Sequence, residues 1–106
     1  MAKAEIHAGI CGFKTVVTAT ADGDVVNLKI ESECKAIQKL AEHLTQVEPF
    51  KEISTRRGMP RSLEMGAQYC NHAACPVPVG IIKAVEVESN LALPADVSIK
   101  LSKTEE

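Results

Sequence analysis

Two β-branched runs flank Asp22-Gly23 in "KTVVTATADGDVVNLKIES", residues 14–32, and within them Val17 and Ala19, then Val26, Leu28 and Ile30, recur at every second position. A period of two belongs to a strand with one covered face, and Asp-Gly suits the positive φ angles of a type I′ turn, so the stretch predicts a β-hairpin. With Asp22 and Gly23 as the loop, Ala21 stands opposite Asp24, Ala19 opposite Val26, Val17 opposite Leu28 and Phe13 opposite Ser32. The same register sets Cys11 opposite Cys34 on the covered face, where facing Cβ atoms lie about 4.5 to 5.5 Å apart. Gly9 and Gly12 are places where a bulge would shift that pairing.

Beyond the hairpin the spacing changes to three and four. Cys34, Ile37, Leu40, Ala41, Leu44 and Val47 form one stripe behind Ser32, a good N-cap, which predicts an amphipathic helix ending before Pro49. Residues 46–61 read as a long loop containing "STRRGMPRS". Ser62 then caps a short helix with Leu63, Gly66, Ala67 and Cys70 on one face. "PVPVGIIKAVEVESN" reads as a third helix, because Pro76 and Pro78 fall in a first turn whose backbone donors have no intrahelical partners. Val85 to Glu88 alternate as a strand would, so periodicity leaves that end open. "DVSIKLS" alternates Val97, Ile99 and Leu101 and predicts a closing strand paired with the hairpin. The expected architecture is a single α+β domain over residues 1–106: a small antiparallel sheet of N-terminal hairpin and C-terminal strand, covered by two or three helices.

Composition narrows the function classes. The 106 residues are 45% hydrophobic and 25% charged, as in ordinary globular domains, but aromatic side chains are few: Phe13, Phe50 and Tyr69. With few faces for base stacking and a net charge of -2, the chain lacks the basic excess of a nucleic-acid binder. Glu5 and His7 interrupt the apolar run a secretory signal would need, and no stretch of about 18 apolar residues suggests a membrane span. The expectation is a cytoplasmic protein, where thiols stay reduced.

In that compartment four cysteines in so short a chain point to metal ligation, redox chemistry or packing rather than to structural disulfides. Cys11, Cys34, Cys70 and Cys75 are spaced C-x22-C-x35-C-x4-C. Cys34 and Cys75 fall where helices should start, and the positive end of a helix dipole favours thiolate, the form that binds metal. Glu31 and Glu33 oppose the effect at Cys34. Four thiolates suit zinc or an iron-sulfur cluster. The paired C-x2-C knuckles of zinc sites are absent, whereas C-x4-C and a cysteine followed by proline each occur among ferredoxins. Two alternatives stand beside the metal: a redox protein in which Cys70 and Cys75 cycle between dithiol and disulfide, and an interaction module whose cysteines only fill a low-aromatic core.

His72, inside the C-x4-C loop, reads first as a solvated loop histidine and second as a substitute ligand for one cysteine. His7 shares strand parity with Cys11, and His43 lies on the outer face of the first helix. Arg56, Arg57 and Arg61 crowd one loop as a weak candidate anion site, or as solvated charges. No P-loop, G-x-G-x-x-G, H-E-x-x-H or serine-histidine-carboxylate pattern occurs.

Together, "AGICGFKT", the hairpin, "ESECKAIQKL", "CNHAACPVP" and "IIKAVEVESNLALPADVSI" resemble an uncharacterised family of small four-cysteine proteins from anaerobic bacteria and archaea. The resemblance covers nearly the whole chain and implies no catalytic role. The residues themselves lead to a metal- or iron-sulfur-binding module serving electron transfer, cluster handling or docking to an unknown protein partner.

Overall fold

A computed structural model describes residues 1–104. Its elements run β1 (Ala2–His7), β2 (Lys14–Asp22), β3 (Val25–Ser32), α1 (Lys35–His43), β4 (Gln46–Val47), α2 (Pro49–Glu52), α3 (Arg61–Tyr69) and α4 (Val77–Glu88). The strands form one antiparallel sheet in the order β1-β2-β3-β4. This is the α+β arrangement expected, with helices on one face of the sheet.

The hairpin forms, but in a different register. Asp22 pairs with Val25, so the loop is Gly23-Asp24. Gly23 has φ +64°, and Asp24 is not among the positive-φ residues. A glycine with positive φ at the first loop position alone suits a type II′ turn rather than the type I′ turn expected. The ladder slides by two residues: Val17 faces Ile30, Ala19 faces Leu28 and Thr15 faces Ser32. A shift of two keeps every side chain on its face, so Thr15, Val17, Ala19, Val26 and Leu28 still point into the core. Cys11 does not oppose Cys34: β2 begins at Lys14, and residues 8–13 form a loop into β1, closed by Gly9 and Gly12 at positive φ.

The closing strand expected at the C-terminus is absent, since residues 93–104 carry no helix or strand. β1 takes one edge instead, pairing Ala2 with Ala19 and Ile6 with Thr15. At the other edge the chain leaves α1 at Leu44, whose φ of -121° and ψ of 81° are not helical. Val47 is therefore buried as part of β4 opposite Val26, not as a last helical turn. The expected loop 46–61 also holds the short helix α2.

Helix α1 lies against β3, and α4 against β1 and β2, while α3 packs on both α1 and α4. The core is filled by Ile37 and Leu40 of α1, Leu44 just beyond it, and Val77, Ile81, Ala84 and Val85 of α4. A helix covered on two sides must be apolar around most of its circumference, which is why its periodicity was ambiguous. Gly66 makes the α3–α4 contact possible, since a Cβ there would stand 2.6 Å from Cγ of Pro78. Among the described residues no helix is long and apolar enough to cross a membrane.

Candidate functional site: a cavity lined by four cysteines

The four cysteines reach one place by separate routes. Cys11 lies in the β1–β2 loop, and Cys34 is the N-cap of α1. Cys70 is the C-cap of α3, its N–H donating to the Gly66 carbonyl at 2.9 Å. Cys75 precedes Pro76, the N-cap of α4, and closes a turn by donating its N–H to the His72 carbonyl at 3.2 Å. Ser32 anchors the chain into α1 without capping it. Its hydroxyl accepts from the Cys34 N–H at 3.1 Å and from the Thr15 hydroxyl at 2.8 Å.

All four cysteines line an open cavity of about 920 Å³, shared with Ile10, Phe13, Ile37, Val77 and His72. Each is a free thiol. They are not equivalent: Cys34, Cys70 and Cys75 are half-buried, whereas Cys11 is exposed. Burial pushes the Cys70 thiol up to about 12, with the adjacent Cys75 and then Cys34 acting in the same direction. Without a cation between them, neighbouring sulfurs resist becoming thiolates together. The dipoles are also unequal, because Cys34 and Cys75 stand at helix N-termini and Cys70 at a C-terminus.

Among the described residues no group of three or more His, Cys, Asp or Glu side chains is arranged to hold a metal ion. One tetrahedral zinc needs four donors at about 2.0 to 2.3 Å from a common centre. A cluster distributes its cysteines over several irons and so needs a wider ring.

Residues 2–101 match the model of a family described as a family of unknown function, DUF6951. The chain belongs to this family. Membership in DUF6951 covers all four cysteines and both glycine turns of the β1–β2 loop but brings no activity with it. No curated protein and no solved structure matches the chain.

The remaining candidates lie apart. His72 lines the cavity but is exposed; His7, at the end of β1, is not part of its wall. His43 is exposed and stacks on Tyr69, ring centroids 5.0 Å apart, tying the end of α1 to the end of α3. The three arginines do not share one wall: Arg56 and Arg61 line different hollows. The Arg61 guanidinium donates to the His43 carbonyl at 3.4 Å.

Sequence reasoning missed the apolar part of the cavity, Ile10, Phe13, Ile37 and Val77, although "AGICGFKT" places two of these beside Cys11. It also missed Glu52, a buried carboxylate that accepts from Arg61 N–H at 2.8 Å, Ser62 N–H at 2.9 Å and the Ser62 hydroxyl at 2.6 Å. Ser62 is thus buried in the first turn of α3 rather than capping it. A carboxylate ten residues upstream that caps a helix leaves no local spacing to recognise.

Proposed function

We propose that the chain is a cluster-binding module in which Cys34, Cys70 and Cys75, with Cys11 from the β1–β2 loop, hold an iron-sulfur centre. The observation that carries this reading is the lining of one cavity by four free thiols drawn from three distant segments. Packing cysteines would be expected inside the core, yet none of the four is fully buried. The C-x4-C spacing and the Cys75-Pro76 pair lean towards a cluster over a single zinc ion, and bound iron would supply the positive charge that lets adjacent thiols ionise. Electron transfer and cluster handling both fit a site open to solvent.

The test is anaerobic purification or reconstitution with iron and sulfide, followed by iron, sulfide and zinc analysis and a visible spectrum. Stoichiometric iron and sulfide with a broad visible charge-transfer band support the proposal. Protein that takes up neither metal under those conditions refutes metal binding; colourless stoichiometric zinc replaces the cluster with a zinc site.

A second reading rests on Cys70 and Cys75 standing side by side. Their oxidation would form an S–S bond with release of two electrons and two protons to a disulfide oxidant. A two-electron thiol titration abolished by Cys70→Ser or Cys75→Ser would support it.

A further inference from the structure

We infer that the C-terminal segment 96–102 of one copy adds as a strand to the free edge of β1 in a second copy, reciprocally, making a strand-exchanged dimer. This inference is independent of the cysteine cavity.

The segment has the pattern of a strand and lacks the environment of one. Val97, Ile99 and Leu101 alternate with Ser98, Lys100 and Ser102, yet the three apolar residues are 64%, 77% and 89% exposed. Alternation of this kind belongs to a strand with one covered face. Among the described residues, no backbone hydrogen bond joins residues 93–104 to the rest of the chain.

Its path is set by the end of α4. Asn90 has φ +59°, Leu91 N–H donates to the Glu86 carbonyl at 2.9 Å, and Asn90 N–H to the Val87 carbonyl at 3.2 Å. These two bonds form a Schellman cap, which fixes how the chain leaves the helix. Pro94 then restricts Leu93 to extended backbone. The molecule measures 52 × 28 × 26 Å, one axis nearly twice the others. A capped exit followed by an extended Leu93-Pro94 step leads the apolar stripe away from the core, where it is exposed.

The acceptor is the edge that best matches it. β4 has only two residues, whereas β1 has six and, among the described residues, no strand pairs with its outer side. An unprotected edge of that length is a template for strand addition. β1 turns the small Ala2 and Ala4, with Ile6, toward the helices, and Lys3, Glu5 and His7 toward solvent. Setting Val97, Ile99 and Leu101 on the helix side extends the apolar stripe of Ala2, Ala4 and Ile6 and puts Ser98, Lys100 and Ser102 on the polar face with Lys3, Glu5 and His7. Exchange of identical segments between two copies closes as a two-fold dimer and leaves no apolar tail free.

Sedimentation of the full chain, reduced and over a dilution series, should show a monomer-dimer equilibrium. Ile99→Lys should weaken association by roughly tenfold or more, the effect of about 1.4 kcal/mol. Hydrogen exchange locates the contact: the outward-facing amides of β1 should be protected in the wild type at high concentration and exposed in Ile99→Lys. A wild-type chain that stays monomeric at every concentration overturns the inference. So does a dimer indifferent to Ile99→Lys, or one whose β1 amides exchange alike in both proteins.

Discussion

Helices α3 and α4 each have one end at a cysteine and one at a carboxylate, and the two kinds of end are finished differently. At the carboxylate ends the protein supplies the partners. Glu52 accepts three hydrogen bonds from the start of α3, and Glu88, at the close of α4, accepts the Ala21 N–H at 2.7 Å and lies 3.0 Å from the N-terminal ammonium. At the cysteine ends Cys70 and Cys75 meet each other and an open cavity. A carboxylate whose partners the chain supplies, buried at Glu52 and partly exposed at Glu88, is a fastening, whereas polarizable groups left facing a cavity have valence to offer a ligand. The contrast separates polar groups whose partners the chain itself supplies from thiols left facing a cavity.

The sharpest way to break that comparison is at Glu52. Glu52→Ala leaves two backbone donors and a hydroxyl buried without an acceptor and should cost about 3 kcal/mol or more. Urea unfolding of the metal-free protein measures it. A loss below about 1 kcal/mol would mean that water replaces the carboxylate and that this end is not sealed. The next effect tests whether the two ends are linked through the helix contact. Gly66→Ala gains helix propensity of about 1 kcal/mol, but its Cβ would meet the rigid Pro78 ring, so a net loss of about 1 to 2 kcal/mol is expected. It should also separate Cys70 from Cys75, slowing disulfide formation between them under a mild oxidant.

The cysteine end should respond in the opposite sense to removal of a polar group. Cys70→Ser is expected to change metal-free stability by less than about 1 kcal/mol, because the thiol is only half-buried, while abolishing cluster uptake. Alkylation gives a finer measure. With its thiol pushed up to about 12, Cys70 is almost wholly protonated at neutral pH, and exposed Cys11 should react with iodoacetamide first in the folded protein. Mass mapping after short exposure reads the order. Because the folded thiol keeps its proton after the unfolded one has lost it, this group also lowers metal-free stability as pH rises from the ordinary thiol range toward 12.

How much of this could be read from the residues depends on whether the signal was local. Alternation in β2 and β3 found the hairpin and its covered face, because a two-residue slip conserves parity. It did not find the loop, since Gly23-Asp24 and Asp22-Gly23 both satisfy the composition of a tight turn and only backbone angles separate them. β1 was overlooked because Ala2 and Ala4 are a faint apolar signal, and "DVSIKLS" was given a place in the sheet on a stronger one. Cys11 and Cys34 were brought together by a register that does not exist. They nevertheless border one cavity, because the β1–β2 loop and the start of α1 emerge at the same end of the sheet. The Glu52 fastening joins α2 to α3 across a loop and had no sequence periodicity to announce it.

The smallest expected effect concerns Glu88 and asks whether the carboxylate end of α4 is fastened as firmly as that of α3. Its carboxyl is held below the usual range first by the Ala21 N–H and then by the N-terminal ammonium. A carboxyl with a depressed folded-state pKa stabilises the fold above its unfolded pKa, and that contribution is lost as pH falls through the folded value. Glu88→Gln should therefore be less stable than wild type at pH 7, by below about 1 kcal/mol for a hydrogen-bonded pair at the surface. The difference should vanish in acid, where both proteins carry a neutral side chain. High salt should shrink the part due to the ammonium and leave the part due to the Ala21 N–H. Unfolding curves of the two proteins at neutral and acid pH, with and without salt, separate these contributions. A difference that persists unchanged in acid would mean that Glu88 acts by packing, and that α4 is not fastened by charge at all.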